Sequence, residues 1–325
     1  MSTSLIPVTI LTGFLGSGKT TLLNYILKQP HGFKIAVIEN EFGEAGIDNE
    51  LLVQDQDEQI IEMNNGCICC TVRGDLVRIL GELAAKKKTG QLKFDHVIIE
   101  TTGLADPAPV AQTFFVDEDV VQHYLLDAII TTVDAVHAPQ QLDAHHEAQE
   151  QVGFADRILM TKTDLASPEI VQALRTRLSR INPRASVHES LQGQVPIQSL
   201  LNIRGFNLSA ILEIEPEFLS DVDHEHDDDI SSFVYSDNRP LDIAKIEEFL
   251  SAIVQVYGTR MLRYKGILSI QGEPRRVVFQ GVHMLMGTDL GAPWQAHEER
   301  STKMVFIGRD LPQDVFKDGL ALCAA

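Results

Sequence analysis

The chain has 325 residues, of which 44% are hydrophobic and 22% are charged, and its 27 basic and 46 acidic side chains leave a net charge of −19. This composition indicates a globular protein, and the length is enough for two domains. The negative charge disfavours nucleic acid and anionic membrane as partners, and no segment approaches the ~20 consecutive apolar residues of a membrane span.

The start of the chain and its cysteines indicate where the protein works. Met1 leads directly into an apolar run and a glycine-rich loop, without the charged region and cleavage site of a signal peptide. Three of the four cysteines fall within four positions, a spacing that favours metal or redox chemistry over a disulfide framework. We therefore expect a cytoplasmic protein, in which the remaining Cys323 is an idle thiol.

Apolar runs alternate with helical periodicity over the first two hundred residues. Buried strands are predicted at residues 7–12, 33–39, 59–63, 95–100, 127–133 and 157–161. Helices are predicted at residues 20–28, 76–88, 109–116, 138–152 and 168–181. Continuous apolar strands separated by helices are typical of a mostly parallel sheet covered on both faces, so we predict an α/β domain over residues 1–203.

The character of the chain changes after residue 203. Residues 204–229 are rich in Asp and Glu and end in the stretch from His224 to Asp229, which predicts a solvated acidic linker; a loose zinc or nickel site is the alternative. Strands follow at residues 231–235, 262–270, 275–286 and 303–307, with a helix at 243–257. Strands with little helix between them predict a smaller α+β domain over residues 230–325.

The most specific motif runs from Gly13 to Thr20 and reads G-x-x-x-x-G-K-T. It follows a predicted strand and opens a predicted helix, the context in which this pattern forms a phosphate-binding loop, or P-loop. Glycines let backbone N–H groups turn towards phosphate oxygens, and the helix N-terminus adds positive potential. Lys19 is expected to reach the β- and γ-phosphates, and the Thr20 hydroxyl to bind Mg²⁺. The nucleotide contacts expected from this segment are Gly13, Gly16, Ser17, Gly18, Lys19, Thr20 and Thr21.

A second magnesium ligand is expected at the end of a neighbouring strand. Glu100 ends the predicted strand at 95–100 and precedes Thr101-Thr102-Gly103. Because Mg²⁺ favours one or two carboxylates besides phosphate oxygens, we predict that Glu100 binds it; a local capping role is the alternative. The backbone N–H of Gly103 is expected to contact the γ-phosphate, as switch loops do.

The stretch Thr161-Lys162-Thr163-Asp164 lies at the end of another predicted strand. It resembles the guanine-reading N-K-x-D box of GTPases, with Thr161 in place of Asn. Asp164 can accept hydrogen bonds from guanine N1–H and N2–H₂, whereas adenine presents a lone pair at N1 and lacks the 2-amino group. The stem of Lys162 can lie along the purine plane, so the stretch favours GTP. Asp134, which follows the preceding strand, is expected only to form a turn.

Cys67, Cys69 and Cys70 form a C-x-C-C motif. Thiolates select Zn²⁺, Cu⁺ or iron–sulfur centres, and structural zinc usually takes four ligands from two separated pairs. A single tight triplet predicts a labile site, which suits a protein that passes metal on. Carboxylates between Glu39 and Glu44 could complete the site. A thiol–disulfide role and three buried thiols without a ligand role are the alternatives.

Taken in order along the chain, these motifs resemble the CobW-like P-loop GTPases, which are relatives of the urease and hydrogenase nickel-insertion GTPases. The resemblance rests on residues 13–20, 39–44, 65–70, 100–103 and 161–164 and extends over the whole chain. It implies GTP hydrolysis coupled to delivery of zinc, cobalt or nickel, and a C-terminal domain of the CobW type. It also implies metal ligands at Glu39, Glu44 and Cys69, with Cys67 and Cys70 part of the motif.

The residues and the resemblance together predict a GTP-hydrolysing zinc metallochaperone with GTP, Mg²⁺ and Zn²⁺ as its ligands. Lys19, Thr20 and Glu100 are the expected catalytic residues, and turnover should be slow because no catalytic glutamine or arginine finger is evident. The expected partners are GTP, a divalent transition metal and an unnamed client metalloprotein, and a nucleotide- or metal-dependent homo-oligomer stays open. The alternatives are a cobalt or nickel insertion GTPase, a GTP-dependent metal sensor that transfers nothing, and an ATP-using kinase.

Overall fold

The structure is a computed structural model that describes residues 5–39, 59–62, 71–203, 205, 229–295 and 298–325. The chain divides into two compact units, the first within residues 1–205 and the second mainly beyond them. In the part of the chain so described, every helix is too short or too polar to cross a membrane.

The first unit alternates strands with helices, as the pattern of apolar runs predicts. Its strands are β1 (Ile6–Gly13), β2 (Ile35–Glu39), β3 (Gln59–Glu62), β4 (His96–Glu100), β5 (Tyr124–Asp134), β6 (Arg157–Thr161) and β7 (Ser186–Ser190). Its helices are α1 (Lys19–Lys28), α2 (Thr71–Lys88), α3 (Ala108–Val116), α4 (Glu118–Val121), α5 (Ala138–Ala144), α6 (His146–Phe154) and α7 (Pro168–Ile181).

These strands form one parallel sheet in the order β3-β2-β4-β1-β5-β6-β7. The predicted α/β fold is therefore confirmed. Strand β1 lies at the middle of the sheet, between β4 and β5, so the loop that follows it opens at the centre of the carboxyl edge. In parallel sheets this edge is where ligands bind.

Helix α1 covers one face of this sheet because its apolar residues recur at helical spacing. The core cluster between α1 and the strands includes Leu22, Leu23, Ile26 and Leu27 from the helix and Leu11, Val37 and Ile98 from the sheet. This packing holds the start of α1 at the carboxyl edge of the central strands.

Several local features of the first unit differ from the sequence prediction. Helix α2 begins at Thr71, before the predicted start at residue 76. The helix predicted at 138–152 is two helices, because the backbone at His145 is extended (φ −134°, ψ 114°) and ends α5 before α6 begins. Helix α4 has only four residues, too few to show a periodicity. Strand β7 is a half-buried edge strand of polar sequence (Ser-Val-His-Glu-Ser), so it lacks the apolar run of a buried strand.

In the residues from 229 onwards that the structure describes, the second unit is an antiparallel sheet with two helices, which confirms the predicted α+β class. Its elements are β8 (Ile230–Asp237), α8 (Ile243–Tyr257), β9 (Met261–Leu268), β10 (Arg275–Val282), β11 (Leu285–Pro293), β12 (Thr302–Arg309) and α9 (Gln313–Leu322), with strand order β11-β10-β9-β12-β8. The strand predicted at 275–286 is the hairpin β10–β11, which turns at His283 with φ 52°. Helix α9 was not predicted.

The core of the second unit contains a cluster of aromatic rings. Phe306 lies 5.2 Å from Phe233 and 5.0 Å from Phe316 between ring centroids, which joins β8, β12 and α9. The predicted linker 204–229 lies almost entirely outside the described residues, so its assignment and the predicted domain boundaries stay predictions.

Candidate nucleotide and metal site

The loop after β1 has the backbone of a phosphate cradle. Gly13, Gly16 and Gly18 have φ angles of 143°, 72° and 96°, values that side chains other than glycine rarely allow. A Cβ atom on Gly13 would lie 2.3 Å from the hydroxyl oxygen of Thr132 on β5. Lys19 Nζ donates to the carbonyl oxygen of Gly13 at 2.9 Å, which keeps its charge inside the loop.

The start of helix α1 is open towards an anion. Gly18 is its N-cap and contributes no side chain, and the first turn holds no acidic residue. The first N–H groups of a helix have no partner within the helix and carry positive potential, so they suit phosphate. Thr20 is half-buried and Thr21 is exposed in this turn.

Ser17, one of the predicted nucleotide contacts, forms hydrogen bonds with other residues of the protein. Its hydroxyl forms a buried 2.7 Å hydrogen bond with the hydroxyl of Thr132, and its backbone N–H donates to the carbonyl oxygen of Phe14 at 3.1 Å. Its own carbonyl accepts from the Thr161 hydroxyl at 2.7 Å. Ser17 therefore joins the P-loop to β5 and β6.

The predicted guanine box is attached to the P-loop. Lys162 has a left-handed backbone (φ 56°) and donates from Nζ to the carbonyl oxygen of Gly16 at 2.8 Å. The Thr161 hydroxyl bonds the Ser17 carbonyl, so this threonine makes a P-loop contact at the position where the usual box has Asn. Asp164 lies exposed in the short 3₁₀ turn Thr163–Leu165, where a bound base could reach its carboxylate.

Asp134 is a member of this site that the sequence prediction assigned only to a turn. It does form the turn, since its carboxylate accepts from the Val136 N–H at 2.9 Å. The same carboxylate also receives Lys162 Nζ at 2.7 Å and His137 Nδ1 at 2.8 Å, with its side chain 2% exposed. Burial works to raise the pKa of Asp134, but hydrogen bonds from Lys162, His137 and Val136 and the Lys162 charge outweigh it and lower the pKa. The carboxylate is therefore a buried anion that holds Lys162 at the P-loop.

The contact between Asp134 and Lys162 can be recognised only in three dimensions. Asp134 ends β5 and Thr161 ends β6, and the two residues are paired in the sheet. Only the order of the strands brings the carboxylate beside the guanine box, so sequence reasoning along the chain could not find it.

Two predicted metal-site glutamates are neighbours. Glu39 ends β2, Glu100 ends β4, and the pair is in register between adjacent parallel strands, which lie about 4.8 Å apart. Side chains alternate along a strand, so Glu39 faces the same side as Val37 and Glu100 the same side as Ile98. Val37 and Ile98 belong to the cluster with Leu22 of α1. Both buried carboxylates thus lie on the α1 face, at the edge where α1 begins.

The loop after β4 lies against the P-loop. The Thr101 N–H donates to the Leu11 carbonyl at 2.9 Å, and the Thr101 hydroxyl donates to the Thr12 hydroxyl at 2.8 Å. Gly103 is buried, and a Cβ atom there would lie 2.7 Å from the backbone nitrogen of Leu15. Glycine is required at this position because another backbone approaches it so closely.

The other predicted metal ligands, Glu44, Cys67, Cys69 and Cys70, lie outside the described residues. Within the ranges that the structure does describe, no cluster of three or more His, Cys, Asp or Glu side chains could hold a metal. Of the five residues predicted to bind the transition metal, the structure describes Glu39 alone, so that ligand set stays a prediction.

Comparisons with known proteins identify the family. The family described as "CobW/HypB/UreG, nucleotide-binding domain" matches residues 7–189, and "Cobalamin synthesis protein cobW C-terminal domain" matches residues 230–324. The chain belongs to the CobW/HypB/UreG family.

Relatives of this CobW-family protein match most or nearly all of its length. The zinc chaperone YjiA of Escherichia coli is 45% identical over 97% of this chain and 98% of its own. The crystal structure of the zinc-bound YjiA GTPase from E. coli matches with a TM-score of 0.81 and 39% identity over 99% of this chain and 100% of that chain. The zinc-regulated GTPase metalloprotein activator 1 of Dictyostelium discoideum is 33% identical over 84% of this chain and 64% of its own.

Proposed function

We propose that this protein is a GTP-hydrolysing zinc metallochaperone, in which binding and hydrolysis of GTP control the binding of Zn²⁺ and its transfer to a client metalloprotein. The names of its relatives support the two ligands, since YjiA is called both a zinc chaperone and a zinc-bound GTPase. Zinc is the cargo in this proposal, and GTP is the substrate.

The observation that carries the proposal is the pairing of Glu39 with Glu100. Glu100 is the predicted magnesium ligand beside the nucleotide, and Glu39 is a predicted zinc ligand. Their strands are adjacent, so a shift of either strand end changes the distance between the two carboxylates. Two ionised carboxylates on adjacent strands also repel each other, and a bound cation reduces that repulsion. Binding or loss of the γ-phosphate can therefore change the affinity of the site for Zn²⁺.

The residues of the P-loop bind and orient the nucleotide in this mechanism. The Gly13 and Gly16 conformations and the open α1 N-terminus supply N–H groups to the phosphates, and Lys19 neutralises their charge. Thr20 and Glu100 have the oxygen chemistry that Mg²⁺ takes; the ion, when bound, neutralises charge that develops on the phosphates. Water attacks the γ-phosphorus, the bond to the β-phosphate oxygen breaks, and GDP and phosphate leave.

The decisive experiment measures zinc affinity in three nucleotide states. Competition titrations on the purified protein, nucleotide-free, with GDP and with a non-hydrolysable GTP analogue, should give different dissociation constants for Zn²⁺. Coupling between sites is reciprocal, so zinc should change the affinity for the GTP analogue by the same factor. Equal zinc affinity in all three states, with GTP turnover indifferent to zinc, would rule the proposal out.

Two variants localise the coupling. Glu39→Gln keeps the shape of the side chain and removes its charge, so zinc affinity should lose most of its dependence on nucleotide. Glu189→Gln is the matched control, because Glu189 also lies on a strand of this sheet but is exposed and pairs with Arg175 at the surface, a type of pair that contributes little to stability. Loss of coupling in both variants, or in neither, would contradict the role of Glu39.

The same titrations separate the remaining alternatives. Tighter binding of Ni²⁺ or Co²⁺ than of Zn²⁺ at matched free concentrations would favour an insertion GTPase for those metals, and tighter ATP than GTP binding would favour a kinase. Transfer of Zn²⁺ to an apo zinc enzyme should be faster with GTP than with GDP; equal rates would favour a metal sensor.

We further propose a cytoplasmic location, since neighbouring thiols stay reduced there.

A further inference from the structure

A buried glutamine on α6 contacts the loop that follows Glu100. Gln151 is 1% exposed, and its Nε2 donates to the carbonyl oxygen of Ala105 at 3.0 Å and of Gly103 at 3.3 Å. Only the amide NH₂ group offers two donors, so two carbonyl acceptors fix its orientation. The known motifs of the chain do not include this residue.

Helix α6 is itself anchored to the centre of the sheet at the same residue. The Thr131 hydroxyl on β5 donates to the backbone carbonyl oxygen of Gln151 at 2.7 Å, in a buried contact. Residue 151 is thus tied to β5 through its backbone and to the loop through its side chain.

The loop is held from the opposite side by the P-loop. Gly103 approaches Leu15 so closely that a Cβ atom would lie 2.7 Å from the Leu15 nitrogen, and the Ala105 N–H closes a turn onto the Thr102 carbonyl at 3.1 Å. Gly103 therefore lies between Leu15 and Gln151, and its position depends on both.

We propose that Gln151 is a positioning residue that holds residues 102–105 at the P-loop and thereby sets the preference of the pocket for GTP over GDP. The inference rests on the proposed function, since it needs the backbone N–H of Gly103 to meet the γ-phosphate. GDP lacks that phosphate, so loss of the Gln151 contacts weakens GTP binding selectively.

The test replaces Gln151 by methionine, which has similar length and no donor. Helix α6 offers a matched control two residues away, because Gln149 is also buried and its Nε2 donates to the Leu142 carbonyl at 2.8 Å, outside the loop. Calorimetric titration measures the affinities of wild type, Gln151→Met and Gln149→Met for GDP and for a non-hydrolysable GTP analogue.

Gln151→Met should raise the dissociation constant of the GTP analogue about tenfold and that of GDP by less than about twofold, since one or two hydrogen bonds of ordinary net strength are lost. Gln149→Met should change both constants by a common factor. A wild-type ratio in Gln151→Met, or the same change of ratio in Gln149→Met, would overturn the inference. A wild type that binds neither nucleotide would instead overturn the proposed function.

Hydrogen exchange on the wild type keeps the inference testable if Gln151→Met does not fold. The GTP analogue should protect amides of residues 102–106 and of α6 together, and GDP should protect neither to the same extent. Protection confined to the loop, with α6 unchanged, would show that Gln151 does not connect them.

Discussion

Replacing Asp134 by asparagine removes the charge that holds Lys162 at the P-loop while keeping the shape of the side chain. The asparagine oxygen can still accept from the Val136 N–H, so the turn after β5 should survive. The Lys162 ammonium, in contrast, loses an ionic partner at 2.7 Å and keeps the neutral carbonyl of Gly16 as an acceptor.

The size of the effect follows from the burial of the two partners. The Asp134 side chain is 2% exposed and that of Lys162 36%, so the pair is screened by water on one side only. Hydrogen bonds to charged groups contribute ~1.5–3 kcal/mol, and the exposure of Lys162 favours the lower end. Once Lys162 is released, nucleotide binding must order its side chain again, at a cost of up to ~2 kcal/mol. We expect about tenfold weaker binding of GTP and GDP alike.

Calorimetric titration of both nucleotides checks this expectation. Asp143→Asn is the control, because Asp143 forms a 2.7 Å pair with Arg177 on the surface, where its side chain is 69% exposed. That variant should bind both nucleotides like the wild type. Affinities of Asp134→Asn within about twofold of the wild type would refute the reasoning, because Lys162 would then not depend on the carboxylate.

Three further predictions concern the metal motif, the P-loop and a buried histidine. Cys69→Ala should weaken zinc binding at least about tenfold in competition titrations and leave GTP binding near normal, since a thiolate ligand is lost. Gly13→Ala should lower the free energy of unfolding by at least about 2 kcal/mol more than Gly16→Ala in urea titrations; both have positive φ, but only at Gly13 would the new Cβ meet Thr132, at 2.3 Å. Burial lowers the pKa of His96 to about 4, so the unfolded chain binds a proton first and stability should fall by up to about 3 kcal/mol as the pH drops from 6.5 to 4. His96→Gln should flatten that dependence.

A specific result would contradict each of these three predictions. Zinc affinity unchanged in Cys69→Ala, or lowered as much in Cys323→Ala, would remove the cysteine motif from the ligand set. Equal destabilisation by the two alanine variants of the P-loop would show that backbone strain alone acts there. A pH profile of His96→Gln that matches the wild type would mean that other groups titrate in this range.

The bounds of helices and strands could be predicted where the local sequence pattern is specific to one type of element. Strand β6 and helix α8 begin and end where the sequence predicts, because each is a continuous apolar run or a long amphipathic period. The break at His145 was missed because helical periodicity continues across it. In the hairpin β10–β11 the exposed strand β11 carries no alternation that would mark its start.

The residues of the candidate site also fall into two groups, those within local motifs and those brought together by the fold. The motifs at Gly13, Lys19 and residues 161–164 are recognised from short spacings along the chain, so the sequence predicts each motif together with a role for it. Asp134 contacts Lys162 across 28 residues of sequence, and Gln151 contacts Gly103 across 48. Neither contact has a local pattern, and each needs the strand order to be known.

The sequence by itself determined the alternation that builds a parallel sheet, and it predicts the phosphate loop, the guanine box and the cysteine motif. These are local properties, set by which backbone angles and side-chain periods a short segment allows. Only the tertiary structure decided that Glu39 stands beside Glu100 and that Asp134 and Gln151 hold the two loops of the pocket. Parallel neighbours are joined by long crossovers, so strand order and register arise from the packing of the whole sheet.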